Sequence, residues 1–284
     1  MSTQPLIGAH VSAQGGIANA PARAVEIGCN AVQIFSDSPR IWSKRPVTEE
    51  MISGYTKSVK TAGILCTVIH SLYLVNLASD KPELVEKSIT SLSKDMELAA
   101  GIGATGIVVH VGSHGGRGWD VVKDQVVKSI ATILENTPED SVFLIENSAG
   151  QGGKIGSDLR EIRYMLDSLK AGKRVGVCID SCHAFAAGYA FVPVAGEKML
   201  FDWIEQLNLQ SEIKVLHVND SRDPYFSGRD RHENINDGTI GEENMKTFVT
   251  HPLFAGLPMI LEVPGIEGTG PDKENVDRLK KLFE

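Results

Sequence analysis

A parallel β/α barrel of eight strands, the TIM-barrel class, is the fold this sequence predicts, on three observations. Eight short apolar runs recur along the chain, at residues 7–10, 31–35, 66–70, 107–110, 142–146, 175–180, 215–217 and 259–262. Buried parallel strands read as such near-continuous Val/Ile/Leu runs. Helix-like segments separate the runs, and strand alternating with helix predicts a parallel sheet. The length of 284 residues suits one barrel of this class, which typically takes about 250.

The elements follow in order. After the first run, Gly15-Gly16 opens an Ala-rich helix over 17–27. Thr48 is a natural N-cap for the second helix, with Glu49 and Glu50 in its first turn. Pro82 begins a third, which runs through Met96 toward Gly101. Residues 120–135, 157–171, 182–209, 242–250 and 273–283 read as the remaining helices. The connection 219–241, NDSRDPYFSGRDRHENINDGTIG, follows the seventh strand and reads as an ordered, irregular loop. Loops of that length in compact domains are usually functional. Eight repeats suggest closure, with an open doubly wound sheet as the alternative. No linker or charge block divides the chain, so residues 1–284 read as one domain, although length alone would allow two.

Composition narrows the function classes. Hydrophobic residues make up 42%, enough for a large core, and no run of about 18 apolar residues suggests a membrane span. Met1 to Pro5 carries neither a basic nor an apolar signal region, so a cytoplasmic location is expected. Cys29, Cys66, Cys178 and Cys182 form no C-x-x-C pair and read as reduced thiols, with Cys182 a minor ligand candidate beside His183. A net charge of −8 argues against a surface coated in positive charge for non-specific nucleic-acid binding. It leaves room for a local basic rim.

Seven of the eight runs end in or contain a potential metal ligand; the second, ending in Phe35, does not. Catalytic side chains of β/α barrels sit where strands end. Closure would therefore gather His70, His110, Glu146, Asp180, His183, His217, Asp230, His232 and Glu262 at one mouth. Ionised carboxylates in strands are costly unless paired or metal-bound. Mixed His/Asp/Glu ligation suits Zn²⁺, with Mn²⁺ or Fe possible, and nine candidates suit two or three ions rather than one. Spacing alone favours solvent exposure for Asp230 and His232, which lie in a polar loop. His10 fits a supporting role as well as ligation, and His114 and His251 read as loop residues. Ser12, Ser113 and Ser148 lack a nucleophile–base arrangement. Gly150-Gln151-Gly152-Gly153 matches neither a phosphate loop nor a dinucleotide fingerprint.

The stretches IGAHVSAQGG, VIHSLYLVNLAS, IVVHVGSH, LIENSAGQGGKIG, VGVCIDSCHAFAAGY, LHVNDS, GRDRHENI and LEVPG, in this order over nearly the whole chain, resemble the AP endonuclease family 2 proteins, or endonuclease IV. The resemblance implies a zinc-dependent deoxyribonuclease of base excision repair. Such a phosphodiester hydrolase cuts 5′ to an abasic site in duplex DNA, leaves a 3′-hydroxyl and a 5′-deoxyribose phosphate, and removes 3′ blocking groups. It implies three Zn²⁺ ions: the first on His70 and His110, with Glu146 shared; the second on Asp180, His217 and Glu262; the third on His183, Asp230 and His232. The implied nucleophile is a hydroxide bridged between two metals about 3.5–4 Å apart, with Glu146 as the catalytic carboxylate between them. Arg40 matches a residue that inserts at the lesion, and Tyr73 and Leu74 match residues that enter the duplex. Arg231 is a further phosphate-contact candidate.

The chain departs from the family pattern in three places. Ser38, Pro39 and Ile41 stand where amide residues are common. His110-Val111-Gly112-Ser113-His114 replaces H-P-G-S-H, which is expected to change rigidity more than ligation. The insert 223–228, DPYFSG, is the third. One rival reading is a sugar isomerase or epimerase, which needs a four-ligand set such as Glu146, Asp180, His217 and Glu262 with one metal. Another is a non-catalytic DNA-damage binding module. A monomer is expected.

Overall fold

A computed structural model describes residues 5–284; Met1 to Gln4, read above for the absence of a signal, lie outside the described residues. Eight parallel strands close a barrel. They are β1 (Ile7–His10), β2 (Ala31–Phe35), β3 (Cys66–His70), β4 (Ile107–Val109), β5 (Phe143–Glu146), β6 (Val175–Asp180), β9 (Ile213–His217) and β12 (Met259–Leu261), in the ring order β1-β12-β9-β6-β5-β4-β3-β2. The open sheet is thereby excluded. His110 and Glu262 fall one residue past their strands, and β9 begins two residues earlier than its apolar run suggested.

Period-two alternation gives each strand an inner and an outer face. Ala31, Val68, Val108, Leu144, Cys178, Val215 and Ile260 fill the barrel interior, joined by Cys66. Gly8 completes the layer on β1, where an added Cβ would come 2.6 Å from Ile260 Cδ1. The outer faces pack against helices α1 (Ala20–Glu26), α2 (Glu49–Ala62), α3 (Pro82–Ile102), α4 (Trp119–Glu135), α5 (Leu159–Leu169), α8 (Glu242–Thr250) and α9 (Lys273–Lys281) in one continuous core. Among the described residues, no helix is long and apolar enough to cross a membrane.

Local chemistry explains most helix ends. Thr48 caps α2 by accepting from Met51 N, as expected. The first helix starts later than expected: residues 17–19 form a 3₁₀ turn, and α1 proper begins with Pro21 in its first turn. The single helix expected over 182–209 is wrong. Helix α6 (Ser181–Ala186) ends before Gly188, and a short parallel pair, β7 (Tyr189–Ala190) with β8 (Lys198–Met199), precedes α7 (Leu200–Gln206). Pro193 and Gly196 interrupt helical pairing between them. The loop 219–241 is also more regular than expected. Antiparallel β10 (Asp220–Ser221) and β11 (His232–Glu233) pair within it. The buried Asp220 carboxylate gathers it by accepting from the backbone of Ser221, Asn236, Gly238 and Ile240.

Candidate metal centre

The strand register builds the site. Two residues beyond each interior residue, the same inner face carries a polar side chain at the mouth. Beyond Val68 comes His70, beyond Val108 His110, beyond Leu144 Glu146 and beyond Cys178 Asp180. Val215 is followed by His217 and Ile260 by Glu262. His183 arrives on α6, whose N-cap is Asp180 itself: the carboxylate accepts from His183 N at 2.7 Å. Asp230 and His232 come from the long loop, folded back by the β10–β11 pairing.

All nine candidates converge. Their ligand atoms form three groups, His70 with His110 and Glu146, Glu146 with Asp180, His217 and Glu262, and His183 with Asp230 and His232. Within each group the atoms lie within 4.8 Å of one another. Glu146 joins the first two groups. Its Oε2 lies 3.4 Å from His70 Nε2 and 3.2 Å from His110 Nε2, and its Oε1 lies 3.0 Å from His217 Nδ1. His217 Nδ1 is 3.2 Å from Glu262 Oε2, and His183 Nε2 is 3.0 Å from Asp230 Oδ1.

These spacings fit cation binding. Ligands about 2.0–2.1 Å from a tetrahedral ion stand roughly 3.3 Å apart. Glu146 Oε2 in the first group, and His183 Nε2 and His232 Nε2 in the third, are buried and make no well-directed hydrogen bond among the described residues. Atoms aimed, within each group, at a shared point rather than at each other would do this. The rings are also oriented from behind. His70 Nδ1 donates to Ser71 O at 2.8 Å, His183 Nδ1 to Asn147 O at 3.1 Å and His232 Nδ1 to Glu262 O at 3.3 Å. Each bond leaves Nε2 free to face the mouth, the usual support for a metal-ligating imidazole.

Carboxylates and imidazoles in the cluster offset one another's charge. Burial opposes charge on Glu146, but His110 and His217 outweigh it and hold the carboxyl well below its usual range. Burial would lower His183, yet Asp180 and Asp230 win and hold it well above an ordinary imidazole. His110, with less compensation, is pushed down by burial to about 4. Protons on His183 and His217 stand where a divalent cation would bind, so binding would release them.

Full-length comparisons bear on this arrangement. The family model "Xylose isomerase-like TIM barrel" matches residues 21–282. A "Probable endonuclease 4" of Halothermothrix orenii is 38% identical over 97% of this chain and 99% of its own. One from Methanoculleus marisnigri is 34% identical over 98% of each. The chain belongs to the endonuclease IV family. The crystal structure of endonuclease IV from Thermus thermophilus superposes with a TM-score of 0.85 at 33% identity, covering 98% of this chain and 99% of that one. A 3-keto-D-glucoside 4-epimerase from E. coli, 15% identical with a TM-score of 0.70 over 99% of both chains, shares the fold alone.

The residues expected to contact DNA lie on the loops after β2, β3 and β9. Tyr73 is 64% and Leu74 37% exposed just past β3, with the Tyr73 ring edge-on to Phe35 at 5.3 Å. Arg40 is exposed on the loop after β2. A buried ion pair between Lys44 and Asp95, joined by the Ser36 hydroxyl, pins that loop to α3. Ile41, beside Arg40, is 55% exposed. Arg231 is not free: its guanidinium grips Asp223 of the same loop, with Nε 2.5 Å from Oδ2. A cleft of about 440 Å³ opens beside His10, lined also by Ser12, Gln14, Phe35, Asp37 and Arg45. Gly112 has φ 119° and abuts Asn76, so tightly that a Cβ would come 2.1 Å from Asn76 Oδ1. That amide also accepts from Ala78 N and Ser113 N, which locks the loops after β3 and β4 together. His114 accepts from Gly118 N and His251 stacks on Phe201, both in structural roles.

Four supporting residues escaped the sequence reading. Gln33 is buried on β2; its amide nitrogen donates to Glu262 Oε1 at 2.6 Å and its oxygen accepts from His217 Nε2 at 2.8 Å. Asn147 and Asn219 clamp Asp180, with Asn147 Oδ1 accepting from Asp180 N and Asn219 Nδ2 donating to Asp180 Oδ2, both at 2.6 Å. Lys154 Nζ lies 2.7 Å from Asp230 Oδ2. His10, left open between two roles, faces Glu262 Oε1 at 3.3 Å and Gln33 Nε2 at 3.0 Å. The four thiols are buried and unpaired, and Cys182 Sγ donates to Arg231 O at 3.6 Å.

Proposed function

We propose that this protein is a zinc-dependent AP endonuclease of base excision repair, its residues 1–284 forming one domain that acts as a cytoplasmic monomer. It hydrolyses the phosphodiester 5′ to an abasic site in duplex DNA, leaving a 3′-hydroxyl and a 5′-deoxyribose phosphate, and clears 3′ blocking groups. The observation that carries this reading is the convergence of nine side chains into three groups, two of them sharing Glu146, in a chain similar over nearly its whole length to proteins named endonuclease 4. His70, His110 and Glu146 would hold one ion, Glu146, Asp180, His217 and Glu262 a second, and His183, Asp230 and His232 a third. Mn²⁺ or Fe would be tolerated at one position. Bound there, the ions would supply Lewis-acid polarisation of the phosphate and an activated water for in-line attack.

The residues of the chain do the positioning. Glu146 is the catalytic carboxylate, reaching the first group with Oε2 and the second with Oε1. Gln33 directs His217 Nδ1 inward by taking its Nε2–H. Tyr73 and Leu74 enter the duplex, Arg40 inserts beside them, and Arg231 meets phosphate with the edge that Asp223 leaves free. Unstacking costs least where a base is missing, which makes the abasic site the preferred substrate.

Metal content and incision of a duplex with one abasic site, measured on the same preparation, test this. Three ions per chain with a cut 5′ to the lesion is the expected result. One ion and no incision would overturn it and leave the four-ligand sugar isomerase or epimerase standing. Three ions without turnover would leave the damage-binding module.

A further inference from the structure

Phe226, in the long loop after β9, has its backbone in the left-handed region at φ 58°. Bulky side chains take that conformation only under strain, and such strain clusters at functional sites. Burial does not compensate. Phe226 is 72% exposed, more than any other exposed large hydrophobic among the described residues. The segment beneath it is firmly tied. Phe226 N donates to Phe185 O at 3.2 Å and Gly228 N to Ala186 O at 2.9 Å. The Tyr225 hydroxyl sits 2.5 Å from Gly188 O, and its ring meets Phe185 edge-on at 5.3 Å. The Phe226 ring rests on Gly188, where an added Cβ would come 2.5 Å from ring carbon Cδ2. One flank is thus supported and the rest open.

The pedestal is α6, which carries His183 and starts from Asp180. Arg229 and Arg231, three and five residues past Phe226, share the single carboxylate of Asp223, while the Glu197 carboxylate accepts from the Tyr225 hydroxyl at 2.8 Å. In the ring of eight strands, β9 and β3 stand four apart, on opposite sides of the barrel. The loops bearing Phe226 and Tyr73 therefore leave opposite rims of the same mouth.

We propose that Phe226 is a stacking platform for a nucleotide unstacked next to the abasic site, with Arg229 facing the adjoining phosphate. The proposal rests on the AP endonuclease reading. An aromatic ring with an open face binds a base face of any sequence. Intact duplex covers its base faces with neighbouring pairs, whereas a missing base leaves the adjacent face free. The contact is therefore lesion-specific.

Replacing Phe226 with glycine tests it, because φ 58° suits glycine and the variant should melt no lower than wild type. Binding of the metal-loaded protein is measured to a duplex holding one abasic analogue with a non-hydrolysable linkage 5′ to it, and to the undamaged duplex. F226G is expected to bind the abasic duplex about tenfold more weakly and the undamaged duplex unchanged. F226W, which keeps a flat ring, retains the affinity. Unchanged binding of F226G to the abasic duplex overturns the proposal. So does an equal loss on both duplexes, which would make the residue a general backbone contact. Wild-type incision of a cleavable abasic duplex is followed in parallel; its absence would sink the endonuclease reading separately.

Discussion

Gln33 shows why a residue-by-residue search for ligands stops short. The second apolar run ends in Phe35 and looked empty of chemistry, but strand β2 continues past the mouth ring, whose member there is Gln33. Counting two residues on from the interior Ala31 finds it; looking at the run's last residue does not. One buried amide sets both the His217 tautomer and the Glu262 carboxylate. Gln33→Ala is therefore expected to weaken metal binding by about 10–100-fold, the usual effect of removing such support. Titration with a competing chelator measures this, and wild-type affinity would show that Gln33 only fills space. Glu146→Gln should keep the fold and lose most cleavage, since the amide cannot serve both groups as the carboxylate does. Cleavage within a few fold of wild type would remove Glu146 from its assigned role. Histidines and acids are rare in buried strands, so the ligands on strands were conspicuous in the chain. Asn147 and Asn219 were not, because an asparagine after a strand reads as a turn until its partners are known.

At the scale of elements, strands and caps were legible and broken segments were not. Residues 182–209 read as one helix because apolar residues recur there, but Gly188, Pro193 and Gly196 divide them, and the pairing of β7 with β8 is a long-range event. Asp230 and His232 become site residues only through the β10–β11 pairing and the carboxylate of Asp220. The loops around the mouth carry two expectations. Tyr73→Ala should weaken binding to abasic duplex more than to undamaged duplex in fluorescence anisotropy; equal losses would show that Tyr73 reads no lesion. Asp95→Ala should destabilise the protein by about 3–5 kcal/mol, because it leaves the Lys44 ammonium buried and unpaired. Chemical denaturation measures that, and a loss under about 1 kcal/mol would mean that Lys44 escapes to solvent.

For the whole molecule, closure of the barrel is what concentrates the charge. Glu146 and Asp180 are fully buried in one group, and like charges that close are costly without a cation. Stripping divalent ions with a chelator should therefore lower the melting temperature by several degrees, and adding Zn²⁺ back should restore it. Identical melting with and without metal would show that the cluster holds none tightly. The chain by itself determined the barrel, since apolar runs alternating with helical segments have few other ways to bury both faces of every strand. It also determined which residue types stand at the strand ends, because that is local information. Only the tertiary structure decided which of them share a centre, how the long loop folds back to complete it and which amides orient it. Those relations join residues as far apart as Gln33 and Glu262, and no local pattern encodes a contact made by closing a ring.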